Sequence, residues 1–228
     1  MLGTYLLVFF GPGSVVAASL WGLTSVETLL FVAAVFGCTV ASVILVLGRF
    51  SGAHINPAIS VGSAVAGLLK RELFLPYLAF QVAGALLAGL CLKIGYGAGG
   101  LGAHLGSTEL AAGITPIEGV ALEIVGTFFL TLSALTAASF VKSPVKQAAL
   151  VGGTLFVLIL LIGPLTGASF NPARSFGPSL LSGDLSGQLI YYVGPIIGAA
   201  SAGLIFGALR KSYGEKSGKT KLNLVCVC

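Results

Sequence analysis

Charge is what this sequence has least of. Asp, Glu, Lys and Arg make up 8% of its 228 residues, against about 25% in an ordinary soluble domain. There are two histidines, one tryptophan, one methionine and four cysteines. The chain offers no Gly-x-Ser-x-Gly elbow, no paired carboxylates and no His/Cys spacing suited to a metal, so neither an intramembrane enzyme nor a metal or cofactor site is expected. Cys38 and Cys91 lie inside apolar runs, and Cys226 and Cys228 end the chain in a tail that only faintly resembles a prenylation signal and reads as unremarkable. The net charge of +5 does not point to nucleic acid, because most basic residues fall between apolar segments or in the tail. Gly97-Ala98-Gly99-Gly100-Leu101-Gly102 matches Gly-x-Gly-x-x-Gly, but it follows an apolar run instead of a strand and reads as a flexible loop.

What is abundant is apolar sequence: 56% of residues are hydrophobic and the mean hydropathy is +1.04. A water-soluble core hiding that much apolar surface needs a far longer chain, so the solvent must be lipid. Runs long enough to cross a bilayer, about 20 residues each, cover 1–20, 27–47, 73–96, 117–138, 147–162 and 189–209. The first lacks a basic leader and a small-residue cleavage site and is read as a span, not a signal. Two shorter pieces, 57–69 and 172–181, each follow a Gly-containing turn and are re-entrant candidates. The expected fold is therefore all-α: six transmembrane helices plus two re-entrant half-helices.

The sequence also repeats itself. Asn56-Pro57-Ala58 and Asn171-Pro172-Ala173 stand 115 residues apart (171 − 56), preceded by Ser51-Gly52-Ala53-His54-Ile55 and Thr166-Gly167-Ala168-Ser169-Phe170. Gly3-Thr4-Tyr5-Leu6-Leu7 likewise matches Gly126-Thr127-Phe128-Phe129-Leu130. Three spans per half is odd, so the halves enter the membrane from opposite sides as inverted repeats, which meet near the bilayer midplane. The expected organisation is one channel domain over 1–209, with repeat one 1–96, loop 97–115 and repeat two 116–209, followed by a tail over 210–228. Arg49, Lys70, Arg71, Lys142, Lys146, Arg210, Lys211, Lys216, Lys219 and Lys221 all fall on one side, which places both termini in the cytoplasm.

Proline at the first helical position loses no hydrogen bond and has a suitable φ, so Pro57 and Pro172 start the half-helices and Asn56 and Asn171 cap them. A cap that uses its side-chain oxygen on the first turn leaves its NH₂ as a fixed donor. Each half-helix also points its positive end, about half an elementary charge, at the same place and repels cations. The irregular backbone at Gly52, Ala53, His54, Gly167, Ala168 and Ser169 is tolerable at membrane depth where its carbonyls line a water-filled path. Arg174, inside the second short piece, is expected to face that path. His54 reads as a brace for its loop, Glu123 as a structural carboxylate holding re-entrant N–H groups, and Glu72 as an interface residue.

These motifs, above all Asn171-Pro172-Ala173-Arg174-Ser175-Phe176-Gly177-Pro178, resemble the major intrinsic protein family, the aquaporins and aquaglyceroporins, over nearly the whole chain. The resemblance implies a passive channel in the cell membrane for water and small neutral solutes, assembled as a homotetramer without cofactors. Water accepting from both Asn amides has its protons turned away from the constriction, an argument already made for aquaporin-type pores. The resemblance also places an aromatic/arginine filter at Phe36, Ile159, Ala168 and Arg174, by offset from the two motifs. Ile159 stands where strict water channels carry His, and Ala168 leaves space, so glycerol-sized solutes are expected beside water. Ser175 and the pair Tyr191-Tyr192 look more like water channels and weigh against a glycerol specialist; a glycerol-type facilitator with water secondary is the alternative. A secondary transporter shares inverted repeats and is the rival class. The repeat also predicts a glutamate immediately before Met1, equivalent to Glu123, so the native chain is expected to start upstream.

Overall fold

The computed structural model describes residues 1–216, with side chains described through Ser212; Cys226, Cys228 and the rest of the expected tail lie outside the described residues. Its helices are α1 (Leu2–Leu20), α2 (Ser25–Ser51), α3 (Pro57–Val65), α4 (Arg71–Gly102), α5 (Pro116–Phe140), α6 (Pro144–Thr166), α7 (Pro172–Ser182) and α8 (Ile190–Lys216). Six of these are long and apolar enough to cross a membrane, and α3 and α7 are the half-helices. This is a multi-pass membrane protein.

Local chemistry sets the helix starts. Thr24 with Glu27 and Thr115 with Glu118 form reciprocal capping boxes, which advance the second and fourth spans to Ser25 and Pro116. Proline occupies the first position of α3, α5, α6 and α7. The segment 97–102 departs from the flexible-loop expectation. The chain breaks at Gly97 (φ 54°, ψ −132°) and then resumes as helix to Gly102. The continuation packs because Gly99 and Gly100 lack side chains: a Cβ there would fall 2.9 Å from Leu20 and 2.7 Å from the Cβ of Tyr96. At the other end, α8 runs on past Leu209 to Lys216.

Small residues let the helices approach in the lipid-facing bundle, where apolar burial alone does not choose partners. Gly37 of α2 faces Gly152 of α6, its equivalent in the other repeat, and a Cβ on Gly37 would sit 2.9 Å from the Gly152 carbonyl. Gly84 meets the carbonyl of Met1 as Gly198 meets that of Ile124, and Gly89 meets that of Gly177 as Gly203 meets that of Gly62. Each pair is one contact seen in both repeats. The half-helices α3 and α7 thereby pack on α8 and α4 respectively, and their N-termini are brought together in the interior.

Candidate functional site

Asn56 and Asn171 meet at the centre. The Asn56 side-chain oxygen accepts from the Ala58 N–H (2.9 Å), and that of Asn171 accepts from the N–H groups of Ala173 (3.1 Å) and Arg174 (3.3 Å). These bonds fix the amide orientation. Each NH₂ then donates across the repeat boundary: Asn56 Nδ2 to the Phe170 carbonyl (2.7 Å) and Asn171 Nδ2 to the Ile55 carbonyl (3.0 Å). An amide has two N–H groups, so one crosses to the other repeat and the second remains for a pore molecule. The crossed pair ties the two half-helix tips together, a role not foreseen in the sequence.

The irregular segments before the tips are conformationally demanding. Gly52 and Ala53 have φ of 65° and 50°, and their equivalents Gly167 and Ala168 have 75° and 47°. Phe170 is also left-handed at 52°, a costly state for a bulky residue. It is held there by Glu123, whose carboxylate is fully buried and accepts from the Phe170 N–H (2.7 Å), the Ser169 N–H (3.0 Å) and the Thr166 hydroxyl (2.8 Å). The Glu123 carboxylate therefore converts local strain into a fixed loop.

The first repeat is held differently. Gln81 Nε2 donates to the His54 carbonyl (2.8 Å) and to the Ser60 hydroxyl (3.0 Å), and the His54 ring bonds the same hydroxyl at 3.2 Å. The His54 carbonyl thus spends part of its accepting capacity on Gln81, away from the path it was expected to line. Nothing in the sequence motif flags Gln81, which arrives from α4.

A cavity of about 340 Å³ runs alongside the crossed amides, lined among others by Gly52, Ala53, His54, Asn56, Ser169, Asn171, Phe36 and Arg174. Phe36 and Arg174 are brought together: the guanidinium carbon lies 5.0 Å from the ring centroid, within cation–π range. Ile159 and Ala168 belong to the same buried apolar cluster as Phe36. They flank Gly163, where a Cβ would lie 3.4 Å from Ile159 and 4.0 Å from Ala168. Gly167, Ile159 and Ala168 are not among the residues bordering the 340 Å³ cavity.

Arg174 is 2% exposed. Its Nη1 donates to the Gly106 carbonyl at 2.9 Å, and its Nε is buried with no partner among the described residues. Gly106 closes a tight turn that includes His104 and Leu105, both left-handed (φ 48° and 52°). A Cβ at Gly106 would collide with the Pro12 carbonyl, so only glycine brings that acceptor to Arg174. Below it, a chain of hydroxyls runs from Thr108 to Ser175 (2.6 Å), to Ser169 (2.5 Å) and on to the Asn171 carbonyl (3.0 Å). Gln188 Nε2 clamps the Thr108 carbonyl at 3.0 Å. Thr108, Gln188 and Gly106 lie far from either motif in sequence and carry no local signature.

The profile of the family described as Major intrinsic protein matches residues 1–206. The chain belongs to that family. Aquaporin TIP2-1 of Arabidopsis thaliana is 37% identical over 216 residues, covering 90% of this chain and 83% of its own. Aquaporin NIP1-2 of Oryza sativa subsp. japonica is 35% identical, covering 92% of this chain and 70% of its own. The X-ray structure of the aquaglyceroporin from Plasmodium falciparum superposes with a TM-score of 0.81 over 94% of this chain and 96% of that one, at 22% identity. That likeness speaks for the fold. Members of the major intrinsic protein family are passive channels, and this chain is a channel protein and not an enzyme.

Proposed function

We propose that this major intrinsic protein conducts water through the cavity at Asn56 and Asn171, passes glycerol-sized neutral solutes beside it, and excludes protons and ions. The observation that carries the reading is the crossed amide pair: both caps are oriented by their own half-helix, and both half-helix N-termini converge on one buried point. A water oxygen there accepts from the amides, and its own hydrogens point away toward either mouth. The positive helix ends add an unfavourable field for cations.

Selection belongs to Phe36, Ile159, Ala168 and Arg174. Arg174 supplies a fixed charge beside the Phe36 ring, while Ile159 and Ala168 supply the apolar part of the filter from the cluster packed with Phe36. Similarity to aquaporins of plants supports water as a permeant, and the small Ala168 side chain supports larger solutes. The assignment of 1–209 as one channel domain, the homotetramer, the cell membrane and cytoplasmic termini are part of the same proposal; the basic residues on the terminal face support the orientation. Stopped-flow light scattering of proteoliposomes tests it. Fast, non-saturating shrinkage in an impermeant osmolyte and measurable glycerol re-swelling are the expected results, and water flux no faster than empty vesicles would overturn the reading.

A further inference from the structure

On the membrane face opposite the termini, two chain segments bring three metal-binding atoms to one point. His104 Nδ1 lies 3.0 Å from Glu109 Oε1 and 3.5 Å from Asp184 Oδ2, and all three ligand atoms fall within 4.8 Å of one another. A tetrahedral zinc ion, with bonds of about 2.0–2.2 Å, holds its ligands roughly 3.3 Å apart. The two distances from the imidazole straddle that value. The site is half-exposed, with side chains 46%, 57% and 41% accessible, so water can complete the coordination.

We propose that His104, Glu109 and Asp184 form a binding site for a borderline divalent cation, zinc above all, which straps the loop after α4 to the end of α7. The ligand set decides the class. One imidazole with two carboxylates suits zinc and its neighbours, whereas calcium and magnesium take all-oxygen shells. Glu109 and Asp184 both face the single imidazole nitrogen. A shared cation neutralises both. Asp184 is set up for this, because its Oδ1 accepts from the Ser186 N–H at 2.8 Å, which orients Oδ2 toward His104.

The strap bears on the pore. His104 stands two residues before Gly106, whose carbonyl holds Arg174, and Asp184 directly follows Gly183, the left-handed cap of α7. A cation therefore ties the support of Arg174 to the half-helix that carries it. This coupling rests on the channel reading above; the binding itself does not. It was invisible in the sequence because the ligands come from positions 104, 109 and 184 with no local spacing.

The test uses untagged, detergent-solubilised full-length protein carrying Cys226→Ser and Cys228→Ser, which removes the terminal thiols as competing ligands. Titration calorimetry with zinc chloride should give one ion per chain with micromolar affinity, weakened tenfold or more by His104→Ala and by Glu109→Gln, neither of which touches the pore. No binding, or equal binding by the two variants, overturns the site. In proteoliposomes with zinc on both sides, glycerol flux should fall at least twofold in the parent and stay unchanged in His104→Ala. Tight one-to-one binding with flux unchanged overturns the strap's coupling to Arg174 while leaving the channel reading intact, since water and glycerol flux without zinc are measured in the same vesicles.

Discussion

The two repeats build the same re-entrant loop, and the side chains seen to grip it differ in kind. In the second, a buried carboxylate, Glu123, takes two backbone N–H groups and a hydroxyl. In the first, a neutral amide, Gln81 of α4, grips the His54 carbonyl. The lesson is that one backbone motif can be gripped from different neighbours, by a carboxylate of α5 at its N–H groups and by an amide of α4 at a carbonyl. In the second repeat the charged group serves a loop with a left-handed Phe170 to hold and a cation, Arg174, to position.

Breaking that contrast most severely means removing the charged support. Glu123→Ala strands three buried donors at about 1–3 kcal/mol each, so a loss on the order of 4 kcal/mol or more is expected, read as a sharply lowered unfolding temperature in detergent and water flux at the level of empty vesicles. Gln81→Leu should cost about 1–2 kcal/mol, because the two donor bonds it removes leave behind acceptors that water near the loop reaches more easily. An unfolding temperature that falls as far for Gln81→Leu as for Glu123→Ala would erase the distinction between the two loops.

Two smaller effects sharpen it. Ala168 and Ala53 are repeat equivalents with nearly the same left-handed φ, yet only Ala168 belongs to the proposed filter. Ala168→Phe should reduce glycerol flux about fivefold, a change of roughly 1 kcal/mol in barrier, and water flux by less; equal loss of both would remove Ala168 from solute choice. Mercury is the mildest perturbation. Cys38 and Cys91 are free and exposed, both in the first repeat, and neither borders the 340 Å³ cavity. Weak inhibition of water flux is expected, and strong block at low dose would place one of them in the path.

Much of this was legible in the chain because it is written locally. Pro57 and Pro172 announce helix starts, the two Asn-Pro-Ala tripeptides announce the repeat, and Glu123 stands out as a carboxylate in an apolar run. Thr24 with Glu27 and Thr115 with Glu118 were also readable as capping boxes, and they account for the one- and two-residue shifts in those helix starts. The helical turn after Gly97 was not legible, since a run of glycines reads as loop unless the residues packed on it, Leu20 and Leu105, are known. Gln81, Thr108, Gln188 and the Gly106 carbonyl were hidden for a similar reason. Each reaches the site through tertiary packing, and a glutamine or threonine in an apolar helix or loop looks the same in sequence whether it supports a pore or not.

The paired Asn56 and Asn171 amides make one demand that no other part of the molecule shares: water must pass and protons must not. Water permeability by stopped-flow scattering and proton leak by an entrapped pH-sensitive dye, measured in the same proteoliposomes across a temperature series, address it together. The account predicts rapid water flux with the weak temperature dependence of an open aqueous path, and a proton leak equal to that of protein-free vesicles. A proton conductance that rises with protein content, or a water flux that saturates and depends on an ion gradient, would contradict it.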